Sequence, residues 1–226
     1  MIRIPLPFSR RTTALAAGLV VAGAATVTTL WLVSPSSAHP ASSPPASKAS
    51  LPGQGAELVA LIDGGKSRTY VARYRTVSGA GATHQDITME VSQQAPRKRE
   101  DVTITASGRT AKSETFLLPD HTVSCQAEGG GPWTCANGPA GAVSSGFDEL
   151  TTQIAKLGAT SITRGADETI AGVSARCYRI QAAQKVNADV CTTPDGIPAK
   201  VEIGPSKFEL VKLESTVADS AFTPPV

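Results

Sequence analysis

Four cysteines, three histidines and the acidic pairs Glu100-Asp101 and Asp167-Glu168 are among the groups in this 226-residue sequence that could carry chemistry. A serine hydrolase would need Gly-x-Ser-x-Gly, the turn that lifts the nucleophile clear of its sheet, and no such string occurs. Ser144-Ser145-Gly146 lacks the leading glycine and reads as a loop that caps a following helix. His84 begins a strand, His121 follows a Pro-Asp turn and His39 lies in a Ser/Pro/Ala tract, so none is placed as a general base. Glu100-Asp101 and Asp167-Glu168 each point to opposite strand faces and form no acid/base couple. The Gly-rich SGAGA at 78–82 lacks the Lys and Ser/Thr of a phosphate loop and reads as a hairpin turn. No catalytic residue, cofactor or metal site is assigned, and the chain is read as non-enzymatic.

The cysteines remain. Redox pairs sit two residues apart and tetrahedral zinc sites want paired Cys-x-x-Cys knuckles; Cys125, Cys135, Cys177 and Cys191 follow neither pattern. In an exported chain they read as two disulfides. Three connectivities are open, and the spacing favours the sequential one. A Cys177–Cys191 hairpin register sets Arg179 opposite Asp189, Tyr178 opposite Val190 and Ile180 opposite Ala188. Charges then share one face and apolar groups the other, as a half-buried antiparallel pair requires. The cysteines fall on the charged face, which predicts a bridge on the outer surface. For Cys125 and Cys135 the turn centres on Gly129-Gly130-Gly131, with Ala127 opposite Trp133.

Export is read from the leader. Arg3, Arg10 and Arg11 precede an uncharged stretch at 12–33, and the first 38 residues contain no acid. This is the layout of an export signal, with a cleavage site after Ala38. The stretch is also long enough to span a bilayer, although 14–33 holds six Ala, two Gly and three Thr. Residues 1–38 are therefore a signal peptide or a membrane anchor, both readings standing, with the N-terminus cytoplasmic if the leader is kept. No cysteine precedes Cys125, so lipid attachment to an N-terminal cysteine is excluded. Residues 39–53 are a Ser/Pro/Ala-rich linker, too poor in apolar surface to fold. The folded domain spans 54–226.

The 21 Lys and Arg against 19 Asp and Glu give a formal charge of +2. Three of the basic residues belong to the leader, so the exported part carries 18 against 19 and stands at −1. Bulk positive charge for nucleic acid is absent. Pro96-Arg97-Lys98-Arg99 is the one dense basic run, read as a solvated turn rather than a phosphate contact. Twenty Gly and 16 Pro exclude a helical bundle.

Apolar spacing and a Gly-Gly stop predict a helix at 54–64, and alternation predicts strands at 68–77, 86–92, 97–106 and 110–118. A second helix is expected at 147–157, where Phe147, Leu150, Ile154 and Leu157 form one stripe. Strands follow at 160–163, 174–182, 186–192, 197–203 and 207–217. With the arms of the first cysteine hairpin, ten or eleven strands and two helices result. The class is α+β, mainly antiparallel β.

The strings TIAGVSARCYRI (169–180), VCTTPDGIPAKVEI (190–203) and ADSAFTPPV (218–226) resemble pieces of actinobacterial envelope proteins with a LolA-like domain. That superfamily includes periplasmic lipoprotein carriers, mycobacterial glycolipid-binding lipoproteins and sensor domains for mislocalised lipoproteins. The resemblance implies a curved, unclosed half-barrel sheet covered by two helices, with an apolar cavity between sheet and helices. Tyr70, Tyr74, Ile87, Met89, Val102, Ile104, Phe116, Tyr178, Ile180 and Phe208 are the candidates to line it. Many mycobacterial relatives carry an N-terminal lipobox cysteine, which this chain lacks.

Two functions follow as expectations. One is a monomeric carrier of a lipid, lipopeptide or lipoprotein, exported to the cell envelope and membrane-associated through its N-terminal segment. The other is a membrane-anchored sensor or protein-interaction module without bound lipid. Neither involves nucleic acid.

Overall fold

The structure, a computed structural model, describes residues 53–78, 84–141, 159–182, 187–203 and 206–225. Helix α1 (Gln54–Gly65) leads into β1 (Thr69–Ser78), β2 (Gln85–Gln94), β3 (Arg97–Ala106), β4 (Arg109–Leu117), β5 (His121–Glu128) and β6 (Thr134–Pro139). The second half holds β7 (Ala159–Arg164), β8 (Glu168–Ile170), β9 (Val173–Ala182), β10 (Asn187–Thr192), β11 (Pro198–Ile203) and β12 (Ser206–Glu214). A 3-10 turn at Asp219–Phe222 follows.

The strands form one antiparallel sheet in the order β6-β5-β4-β3-β2-β1-β12-β11-β10-β9-β7, with β8 paired to β9 off this path. Its ends, β6 and β7, do not pair with each other, so the curved sheet stays open. This is the expected half-barrel. The predicted elements reappear with small shifts at their ends; β12, for instance, stops at Glu214 instead of reaching 217. The three-residue β8 was not anticipated, being too short to show a period. The leader, most of the linker and the expected helix at 147–157 lie outside the described residues. Among the described residues, no helix is long and apolar enough to cross a membrane.

Both disulfides join directly opposed residues of neighbouring strands, Cys125 with Cys135 and Cys177 with Cys191. The second hairpin has the expected register, with Arg179 opposite Asp189, Tyr178 opposite Val190 and Ile180 opposite Ala188. Its bridge does not lie on the outer surface, however, since Cys177 and Cys191 are both buried. The chain at 165–168 folds back over them. The Gly165 N–H donates to the Cys177 carbonyl, and the Glu168 carboxylate lies within 4.8 Å of both sulfurs.

Alternation sorts the side chains onto two faces. The inner face carries Tyr70, Ala72, Tyr74, Ile87, Val91, Tyr178, Ile180, Val190, Val201 and Leu210, all buried. Helix α1 buries Leu58 and Ile62. The outer face carries cross-strand ion pairs, among them Arg73–Glu90, Arg75–Asp86 and Arg179–Asp189. Such exposed pairs set register more than they add stability. Val211, the extra residue of a bulge where β12 meets β1, is the large exposed apolar side chain among the described residues, at 55%.

The C-terminus of α1 is fixed by two devices. A Cβ on Gly65 would collide with the Gly196 carbonyl, and one on Gly196 with that of Leu61, so helix and 193–197 turn meet backbone to backbone. Gly196 also has φ +81°, which favours glycine. Beside this contact the buried Gln93 amide nitrogen reaches the carbonyls of Gly65, Lys66 and Arg68 at 2.9, 2.7 and 3.2 Å. With two hydrogens it serves two of these at a time, satisfying carbonyls that a helix end leaves open. Gln93→Leu should therefore cost about 1–3 kcal/mol. Thermal denaturation checks this: a fall of several degrees is expected, and an unchanged midpoint would remove Gln93 from this role.

Candidate functional site

Residues of one face meet in rows across an antiparallel sheet. Pairing Ile104 with Ile87 and Ile87 with Thr76 starts one inner-face row. The Thr76 hydroxyl donates to the Lys207 carbonyl, which sets Thr76 beside Phe208. Phe208 pairs with Val201, Val201 with Val190, and Val190 with Tyr178. A second row runs Val102, Met89, Tyr74, Leu210. Met89, Val102, Ile104, Ile203 and Phe208 are only partly buried, unlike the core residues between them.

Towards the end of α1 this face turns polar. Lys98 and Glu100 alternate with Val102 and Ile104 and so share their face. Their side chains are 8% and 10% exposed, with Lys98 Nζ 3.3 Å from Glu100 Oε1, close enough for an ion pair but not aligned as a hydrogen bond. The Tyr70 hydroxyl donates to Gln93 Oε1 at 3.4 Å, and the Tyr74 hydroxyl to the Pro198 carbonyl at 2.9 Å. Burial above all, then Tyr70 and Glu100, pushes the Tyr74 pKa well up, so this phenol stays neutral. Between these groups and α1 lies a cleft lined by Ile62, Tyr70, Gln93, Lys98 and Pro198, with room for about one water. Two charges this deep are costly unless paired, and the pair marks the inner face as more than simple core.

Nine of the ten expected lining residues share the inner face. Phe116 does not. It pairs with Arg99 and Val123 on the outer face, where it packs with Val123, Cys125, Leu118 and Trp133. Because Phe116 and Leu117 are adjacent and both apolar, β4 alone did not reveal which points inward. Lys98 and Glu100 were missed, although charged residues in phase with Val102 and Ile104 were the available signal.

The basic run at 97–99 is not a solvated turn. Arg97 pairs with Asp219 at 2.8 Å and stacks over the Phe222 ring, centroid at 4.5 Å. Arg99 donates to the Ala221 carbonyl at 3.1 Å, and pairs with Asp101 at 2.6 Å and Glu114 at 3.2 Å. The two arginines thus fasten the C-terminal segment over the outer face, while Lys98 faces inward. His121 pairs with Asp120 at a half-exposed turn, away from the inner face.

No family model and no curated protein matches the sequence. Among solved structures, a chain of the Pseudomonas aeruginosa MucA/MucB complex is similar at 12% identity and a TM-score of 0.51. The match covers 76% of this chain and 62% of that one, so this chain spans about three fifths of its length. LprF from Mycobacterium bovis is similar at 10% identity and a TM-score of 0.44, over 73% of this chain and 95% of that one. At such identities the likeness is one of fold.

On the outer face, burial outweighs the Arg99 ion pair and lifts the Asp101 pKa to about 6. The folded state then holds this proton more tightly than the unfolded chain. The resulting stabilisation is complete below the ordinary carboxylate pKa and is lost as pH rises through about 6. The protein should melt at a higher temperature at pH 5 than at pH 7, and Asp101→Asn should flatten that slope. Equal slopes in both proteins would contradict this assignment.

Proposed function

We propose that the domain binds the acyl chain of a lipid or lipoprotein on the inner face of its sheet, as a non-catalytic carrier outside the cell membrane. The observation that carries this reading is the set of partly buried apolar side chains, Met89, Val102, Ile104, Ile203 and Phe208, flanking a closed core on an open sheet. Each methylene taken from water onto such a surface gains about 0.8 kcal/mol, so a long chain gains useful affinity without specific polar contacts. The leader and the two disulfides suit an oxidising compartment beyond the membrane. The protein acts as a monomer, held at the membrane if the leader is kept and secreted if it is cleaved.

A second reading is an anchored sensor or protein-interaction module. The similar MucB chain is seen in a complex with a second protein, MucA, which supports it.

Solvent extraction of the purified protein followed by mass spectrometry separates the two. Co-purifying acyl lipid at near one per chain is expected. A protein that carries no lipid and takes up none when offered would discard the carrier and leave the interaction module.

A further inference from the structure

The apolar row that starts at Ile104 ends at charge. Beyond Tyr178 the row closes on Arg164, which pairs with Tyr178 across β7 and β9 and holds its guanidinium 5.6 Å from the ring centroid. Arg176, two residues before Tyr178, shares its face and sits opposite Thr192 on β10. Both arginines are partly exposed, at 33% and 41%. The first turn of α1 meets them there. Glu57 Oε1 is 3.5 Å from Nη1 of each arginine, the outer limit of a hydrogen bond. Arg164 also pairs with Asp167 at 2.6 Å.

The donors in this cluster outnumber its acceptors. Tyr178 is 1% exposed and Thr192 fully buried, yet the Thr192 hydroxyl lacks a hydrogen-bond partner, and the Tyr178 hydroxyl faces Glu57 without good hydrogen-bond geometry. Native structures rarely leave buried hydroxyls so. Helix α1 starts from Gly53 without a side-chain cap, which leaves its N-terminal N–H groups and positive dipole end facing the same region. Two guanidinium groups, two buried hydroxyls and an uncapped helix start together suit an oxyanion. Glu57 fills that role at the limit of reach.

We propose that this rim binds the carboxylate or phosphate headgroup of an acyl ligand, with Arg164, Arg176, Tyr178 and Thr192 as donors and Glu57 as a built-in surrogate that the headgroup displaces. The proposal rests on the inner face carrying an acyl chain, and adds that the ligand is an anionic amphiphile. The arginines give charge and a bidentate fork, and the two hydroxyls gain a well-placed acceptor. The chain would leave the headgroup along Tyr178, Val190 and Val201 towards Phe208.

Equilibrium binding of oleate, oleoyl lysophosphatidate and uncharged monoolein to the full chain at neutral pH tests this. At least one anionic ligand should bind about tenfold or more tighter than monoolein, and the stronger of the two identifies carboxylate or phosphate. Arg176→Gln should abolish that preference while leaving monoolein binding unchanged. Glu57→Gln removes the competing carboxylate and should strengthen anionic binding several-fold, a sign that loss of structure would not produce. Equal binding of all three ligands, or a preference that survives in Arg176→Gln, would overturn the headgroup site and leave the acyl-chain reading standing. Failure of monoolein and both anions alike would overturn both.

Discussion

An antiparallel sheet whose end strands never meet leaves an inner apolar face that its own strands cannot cover. Everything distinctive in this protein follows from that constraint. In a closed barrel the side chains of opposite walls would fill the interior. Here β6 and β7 remain separate, and cover must come from elements laid across the face. Helix α1 supplies part of it, burying Leu58 and Ile62. It is held at one end by the Gly65–Gly196 backbone contact and Gln93, and at the other by Glu57 reaching two arginines. The first end is held by the Gln93 amide shared among three carbonyls and by the close glycine contact. The second combines a 2.6 Å hydrogen bond from the Arg164 N–H to Gln54 Oε1 with 3.5 Å contacts from Glu57 to two arginines.

The two faces use charge differently. Outside, Arg73, Arg75 and Arg179 each meet an acid across the neighbouring strand, leaving a solvated surface with little net field. Inside, Lys98 with Glu100 lies near the end of α1, and Arg164 with Arg176 near its first turn, where water is scarcer and each charge counts for more.

Much of the fold was legible because one face differed from the other. In β9 and β10, cysteine, charge and apolar group recur in a phase that admits one register, and Cys177 opposite Cys191 followed from it. Where the two faces look alike, the reading failed. Phe116 and Leu117 are neighbours in a strand of mixed character, and it is the register with Arg99 and Val123 that puts Phe116 on the outer face, against Val123, Cys125, Leu118 and Trp133. The basic run at 97–99 looked solvated because Asp219 and Phe222 lie some 120 residues away in sequence. Arg176 was in phase with Tyr178 and Ile180 and could have been read as a charge on an apolar face. Its nearness to Glu57 could not, since a helix and a strand 119 positions apart bring them together.

The central claim is that the inner face carries the ligand. Methyl-labelled protein mixed with a spin-labelled stearate reads this directly, because the radical broadens only nearby methyl signals. Signals of Met89, Val102 and Ile104 should broaden, while Val211 in its exposed bulge stays sharp. Broadening centred on Val211 or on the outer cluster of Val123 and Leu118, with the inner-face signals unchanged, would contradict the claim.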